Sequence, residues 1–231
     1  MASIKFKFWI TKIRNIFLIL FTAQLVYIVL LKWVDPPITI TQLSNWIDGY
    51  GLKRDYVDFD DMSPNIRLAV IASEDQLFPD HNGFDMTGIK QAWMERSKKH
   101  KRVRGASTIS QQVAKNVFLW QGRSWIRKGL EAYTTFMIEL IWGKKRILEM
   151  YLNVSEMGKG VFGIEAASRF YFNKPAKKLN RKESAMIVAC FPNPKKIRVK
   201  PPSPYVNQRY PQILTQMSNL EPDEDIQHLL K

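Results

Sequence analysis

The sequence predicts a mainly α-helical protein carried on one N-terminal membrane-spanning helix. Three observations predict it: an uncharged, strongly apolar run from Asn15 to Leu31, apolar residues at helical spacing through most of the remaining chain, and a scarcity of the alternation that strands require. The 231 residues suit one domain with an appendage. We divide them into a basic tail (1–14), a signal-anchor helix (15–34), a connecting segment (35–62), the main domain (63–220) and an acidic C-terminal tail (221–231).

The apolar run is at the short end for a bilayer span. Arg14 and Lys32 at its ends can snorkel to the interfaces, and Trp9 and Trp33 are placed for the aromatic belts. The core exceeds the usual signal-peptide h-region and lacks a small-x-small cleavage pattern behind it, so a retained anchor is expected. Lys5, Lys7, Lys12 and Arg14 precede the run and keep the N-terminus cytoplasmic, which turns the domain outward. The net charge of +14 by itself would fit nucleic acid, as would the cluster Lys98-Lys99-His100-Lys101-Arg102. An outward-facing domain meets anionic lipid headgroups instead, which attract basic side chains by about 1 kcal/mol each. Cys190 sits in the apolar run Ala185 to Phe191 and reads as a small core residue.

Ser63-Pro64 gives an N-cap followed by proline at the first helical position. Ile66, Ala69, Val70 and Leu77 supply the apolar stripe of that helix, which places Glu74 near its C-terminal end. Further helices are expected near 85–99, 108–120, 124–142, 144–153, 162–172 and 180–190, the last opened by a capping box of Asn180 and Glu183. In the 124–142 helix, Ile126, Leu130, Tyr133, Met137 and Ile141 form the expected buried stripe. The tail from Pro201 onward, with another helix expected from Tyr205 to Leu220 and an acidic end, is expected to be peripheral, and the segment 35–62 receives no firm structure.

Four blocks stand in order along the domain. Glu74-Asp75-Gln76-Leu77-Phe78-Pro79-Asp80-His81-Asn82-Gly83-Phe84-Asp85 is followed by Gly105-Ala106-Ser107-Thr108-Ile109-Ser110-Gln111-Gln112-Val113-Ala114-Lys115-Asn116. Then come Arg127-Lys128-Gly129-Leu130-Glu131 and Lys145-Arg146-Ile147-Leu148-Glu149-Met150-Tyr151-Leu152-Asn153. Together they resemble the signature blocks of the peptidoglycan glycosyltransferases, specifically the monofunctional biosynthetic transglycosylases of glycosyltransferase family 51. One departure is Gly105-Ala106, where the family often has a glycine pair. No Ser-x-x-Lys or Lys-Thr-Gly element is present, so a polymerase without a linked transpeptidase is expected.

The resemblance implies a lysozyme-like helical glycosyltransferase domain that polymerises lipid II into β-1,4-linked glycan, releasing undecaprenyl diphosphate with inversion. Glu74 would be the general base for the acceptor 4-hydroxyl, a role that suits a carboxylate whose pKa is raised toward working pH. Glu131 would be the second catalytic carboxylate, organising cations, positioning a metal or helping to activate the leaving group. Ser107, Gln112, Lys115, Arg123 and Lys128 match positions associated with the donor's diphosphate and sugar, and Phe78 and Arg127 complete the substrate-binding set. Arg127, Lys128 and Glu131 share one helical face by their spacing, and the helix start at Ser107-Thr108 would offer N–H groups to phosphate oxygens.

Asp75 is expected to cap or pair locally, and His81 to fix the turn before Asn82-Gly83. Ile89, Ala92, Trp93 and Met94 fit either a core helix or a segment dipping into the outer leaflet. His81, His100 and His228 are scattered, so no protein metal centre is expected. Mg²⁺ or Mn²⁺ would arrive with the substrate diphosphate. The expected partners are lipid II, the growing glycan strand, membrane lipids and cell-wall synthesis proteins, with no nucleic acid. The expected location is the cell inner membrane, single-pass, with a periplasmic domain. Two other readings stay open: a glycan-cleaving enzyme of lysozyme-like fold, and a non-catalytic envelope scaffold.

Overall fold

A computed structural model describes residues 2–90, 94 and 107–231, with side chains from residue 8 onward. Gly105, Ala106, the 98–102 basic cluster, Ala92 and Trp93 lie outside the described residues. The chain divides into two compact units, residues 1–36 and 37–231. The first holds α1 (Ala2–Leu30), a helix of 29 residues. Its stretch Phe8–Leu30 is long and apolar enough to cross a membrane, rising about 35 Å at 1.5 Å per residue. The helix thus begins well before the uncharged run, with Lys12 and Arg14 in its first half.

The second unit opens with α2 (Ile40–Ile47), held by a complete capping box between Thr39 and Gln42. Its formation corrects the structureless reading of 35–62. The helix is only eight residues long, so its apolar stripe of Ile40, Leu43, Trp46 and Ile47 covers barely two turns and faces outward. A 3₁₀ turn at Phe59–Asp61 then buries Phe59. Three short strands, β1 (Lys53–Arg54), β2 (Glu156–Gly158) and β3 (Val161–Phe162), form a sheet in the order β1-β3-β2, with β1 parallel and β2 antiparallel to β3.

Two groups of helices build the remainder. In one, α3 (Pro64–Glu74) packs against α8 (Arg181–Val188), α9 (Pro204–Leu220) and α10 (Glu224–Leu230). In the other, α4 (Ile109–Phe118) packs against α5 (Trp125–Ile141), α6 (Lys144–Val154) and α2. α7 (Ile164–Phe172) closes over the sheet. Residues 86–90 are also helical. The mainly α, lysozyme-like class therefore holds.

Local chemistry explains the boundaries. Ser63 accepts from Asn65 N–H and Pro64 opens α3; Asn180 and Glu183 complete their capping box at α8. Ile66, Ala69 and Val70 are fully buried, whereas Leu77 lies beyond the end of α3 and is exposed. Cys190 is buried, and its thiol is pushed well above its ordinary value by burial.

Two expectations fail, wholly or in part, for physical reasons. The acidic tail is packed and not peripheral: Asp223 caps α10, Ile226 and Leu230 are buried, and the Leu230 carbonyl accepts from Arg67 Nη1 at 2.7 Å. An apolar i,i+4 pair inside a charged run was masked by that charge. The stripe assigned to α5 holds only in part: Ile126 is 77% exposed and Leu130 is exposed, whereas Tyr133, Met137 and Ile141 are half-buried. Trp125 (92%), Phe136 and Leu140 are exposed as well, while Glu131, Thr134, Thr135 and Ile138 are buried. α5 thus turns a largely polar face inward and carries an apolar strip on its outside.

Arg67 joins the tail to α3. Its guanidinium also donates to Met62 O at 2.8 Å and lies over the Phe59 ring at 4.1 Å. Arg67→Met keeps an aliphatic stem but leaves two carbonyls unpaired. At about 1–3 kcal/mol per unsatisfied buried group, a loss of about 2–4 kcal/mol is expected, read as a lower thermal midpoint in detergent micelles. An unchanged midpoint would contradict this role.

Candidate active site

Glu74 is the last residue of α3, where the helix must stop because Asp75 leaves helical geometry. Its carboxylate is half-buried in the wall of a cavity of about 360 Å³ where the two helical groups meet. Ser107, Gln112 and Lys115 line the same cavity from α4 and the residues before it. Four of the expected site residues are thus brought together.

Gln112 Nε2 donates to Glu74 Oε2 at 3.0 Å, and Gln112 Oε1 accepts from Tyr151 Oη at 3.3 Å. An ionised Glu74 carboxylate only accepts, so the amide nitrogen of Gln112 faces it and the amide oxygen is left to the hydroxyl of Tyr151. Tyr151 is fully enclosed, and burial pushes its phenol well above its ordinary pKa, which keeps it a donor. Burial also raises the Glu74 pKa, against the lowering effect of Gln112, Ser73 and Arg209, with Asp75 adding to the rise. Among the described residues, Glu74 has no ion-pair partner within bonding distance.

Glu131 is placed differently. It is buried on α5, where it accepts from Arg127 Nη1 at 2.5 Å and from Lys128 Nζ. Lys115 is electrostatically linked to both carboxylates: burial lowers its pKa first, Glu131 and Glu74 raise it, and Arg127 and Lys128 lower it. The cations of α5 therefore lie within electrical reach of the cavity through Lys115. Arg123 is exposed on the loop before α5 and does not line this cavity.

Phe78 is fully buried and stands beneath the turn, edge-on to His81 and under Lys144 Nζ at 4.6 Å, so it does not reach the cavity. Asp75 caps and pairs as expected, accepting from Ile109 N at 3.0 Å and bonding His81 Nε2 at 3.0 Å. His81 Nδ1 accepts from Gly83 N at 3.1 Å, so Nε2 carries the proton. Gly83 has φ of 86°, and a Cβ there would lie 2.7 Å from Thr135 Cγ2. Thr108 Oγ1 donates to the Gly83 carbonyl at 2.8 Å. The turn is sewn to the start of α4.

That stitching takes up part of the helix start at which a phosphate cradle is expected. The N–H of Ile109 is taken by Asp75 and that of Gln111 by Thr108 Oγ1. The cavity's positive charge comes from side chains instead. Among them is Arg209 on α9, which lines the cavity with Ser73 and Tyr205. Neither Arg209 nor Tyr205 falls in the four blocks, and no local pattern singled them out.

A family model for transglycosylases matches residues 41–218. The chain belongs to the transglycosylase family. This transglycosylase is 54% identical over 182 residues to the biosynthetic peptidoglycan transglycosylases of Escherichia coli ATCC 8739 and Escherichia coli O1:K1, covering 78% of this chain and 75% of theirs. The same identity and coverage relate it to the protein of that name from Shigella boydii serotype 4. Glycosyl transfer is accordingly the enzymatic class of this chain.

The Gln112 bond and the Arg209 charge both favour ionised Glu74. Gln112→Leu and Arg209→Ala are each expected to raise the Glu74 pKa further, read by NMR titration of 13C-labelled glutamate. A pKa that falls, or stays, would refute that coupling. A folded pKa raised above the unfolded one stabilises below the unfolded pKa and loses that contribution as pH rises through the folded value. Ionised Glu74 is therefore a cost at neutral pH, and Glu74→Gln should melt at a higher temperature than the native protein there.

Proposed function

We propose that this transglycosylase polymerises lipid II into β-1,4-linked glycan strands, with Glu74 as general base. The observation that carries the reading is a half-buried carboxylate of raised pKa, oriented by Gln112, in one cavity with Lys115. In the proposed step the acceptor's 4-hydroxyl gives its proton to Glu74 as its oxygen bonds to the donor's anomeric carbon. The carbon–oxygen bond to the diphosphate breaks with inversion, and undecaprenyl diphosphate leaves with the electron pair. Lys115 meets the developing charge in the cavity, with Ser107 as a hydroxyl donor.

Arg127 and Lys128 extend that field, and Glu131 is their anchor. A carboxylate already holding two cations is a positioning group. Arg123 on its exposed loop would engage the diphosphate as the substrate enters. A Mg²⁺ or Mn²⁺ ion would travel with the diphosphate, whose oxygens suit a hard cation. Phe78 then supports the turn from below and is not a contact for the sugar.

Membrane anchoring supports the lipid-linked substrate. α1 supplies the span, and the basic residues before its apolar part favour a cytoplasmic N-terminus and a periplasmic domain at the inner membrane. The outward apolar face of α5, next to the cations that would take a diphosphate, suits a polyprenyl tail. Glycan cleavage, the rival chemistry, has no charged leaving group for these cations to stabilise.

The test is incubation of the detergent-solubilised protein with labelled lipid II, with and without divalent metal. Muramidase-sensitive polymer is expected from the native protein, with loss by orders of magnitude in Glu74→Gln. Native-level polymer from Glu74→Gln would overturn the assignment of the base, and fragmentation of preformed glycan would favour the hydrolytic reading.

A further inference from the structure

α2 presents the reverse of what a helix on a water-soluble surface presents. Ile40, Leu43, Trp46 and Ile47 are exposed, Trp46 to 59% and Ile47 to 74%. Thr41, Gln42 and Asn45 are buried. At about 100° per residue the four apolar side chains occupy one continuous arc, and the three buried polar ones the arc opposite.

The inward face is employed as structure, although Asn45 Oδ1 is buried with no hydrogen-bond partner among the described residues. Gln42 Nε2 bonds Tyr56 Oη at 3.0 Å, Asn45 Nδ2 donates to Thr41 O at 3.1 Å, and Gln121 Nε2 donates to Thr41 Oγ1 at 2.8 Å. Thr41 and Asn45 line a cavity of about 340 Å³ that continues the candidate active site through Gln112 and Lys115. The helix therefore cannot turn over to hide its apolar side without dismantling a wall of that cavity.

We propose that α2 lies in the lipid–water interface of the membrane that anchors the chain, its apolar face in the acyl boundary and its polar face supporting the cleft. This rests on reading α1 as a membrane span. Nine residues, 31 to 39, separate the end of α1 from the start of α2, a tether of at most about 30 Å. Trp46 has the amphipathic ring that settles at headgroup depth.

A lipid surface is the occupant because of the patch's size. Eight residues make a helix of about 12 Å, far short of the roughly 800 Å² that a protein partner needs on each side. A few apolar side chains seated about 5–10 Å into a bilayer suffice for an interfacial helix. In that position the cleft's height above the bilayer is set by α2, which is where a lipid-linked substrate must present its diphosphate.

The test uses the full chain in vesicles of phosphatidylethanolamine and phosphatidylglycerol, with nitroxide labels placed singly through Leu20→Cys, Ile47→Cys and Asp48→Cys in a Cys190→Ala background. Collision with oxygen, which is lipid-soluble, is compared with collision with a water-soluble nickel chelate. Labels at 20 and 47 are expected to favour oxygen, and the label at 48 the chelate. Membrane signal at 20 with a water-exposed 47 would overturn the proposal while leaving the span intact. Water exposure at 20 would bring down the span reading and the proposal with it. As a label-free check, Ile40→Ser with Ile47→Ser should slow polymerisation several-fold in vesicles and leave it unchanged in detergent. Equal slowing in both media would assign the pair a merely structural role.

Discussion

The hydrogen bond from Gln112 to Glu74 is the contact on which the site depends, because it crosses between the two helical groups. Glu74 ends α3, whose neighbours are the C-terminal helices; Gln112 sits on α4, whose neighbours are α2, α5 and α6. Each group can be held by its own apolar packing, but the cavity exists only where they face each other. A carboxylate half-withdrawn from water needs a donor, and Gln112 supplies one from the opposite side. Tyr151 fixes the amide from behind, so a residue of the fourth block controls one of the first through a residue of the second.

The same polar economy explains why two helices point their apolar faces outward. α5 must turn Glu131, Arg127 and Lys128 toward the protein to assemble a cation group, and the helical period then places Trp125, Ile126, Phe136 and Leu140 outside. α2 must turn Thr41, Gln42 and Asn45 inward to wall the neighbouring cavity, with the same result for Ile40, Trp46 and Ile47. In water alone both faces would be liabilities of the kind that promote association. On the proposed interfacial placement of α2, lipid would be the solvent of its outward face.

This is also why part of the fold was illegible. Periodicity reads apolar as inside, an inference that assumes water on the other side. It located α5 and misplaced Ile126 and Leu130 of its stripe, and the two turns of α2 were too short to register. Where water is the outer solvent the reading worked: Ile66, Ala69 and Val70 are core, and the caps at Ser63 and Asn180 are formed. The site divides likewise. Glu74, Ser107, Gln112 and Lys115 lie in local blocks and converge, whereas Arg209 joins them from a helix about a hundred residues downstream, through packing that no short pattern encodes. Phe78, in the first block, proved to be core because an aromatic beside a turn has two uses and the block does not distinguish them.

The two carboxylates end in opposite environments. Glu131 is buried with one cation of α5 bonded to each of its oxygens, so its charge is matched within that helix. Glu74 is desolvated without an ion pair among the described residues, given only enough hydrogen bonding to orient it, and its pKa rises. Environments that treat two acids so differently separate their roles: one arranges charge, the other can exchange a proton. Lys115 feels both. Burial makes its charge costly until an anion arrives; on the proposed reading a diphosphate entering the cavity would relieve that cost, while Glu74 across from it would keep a lone pair for the acceptor.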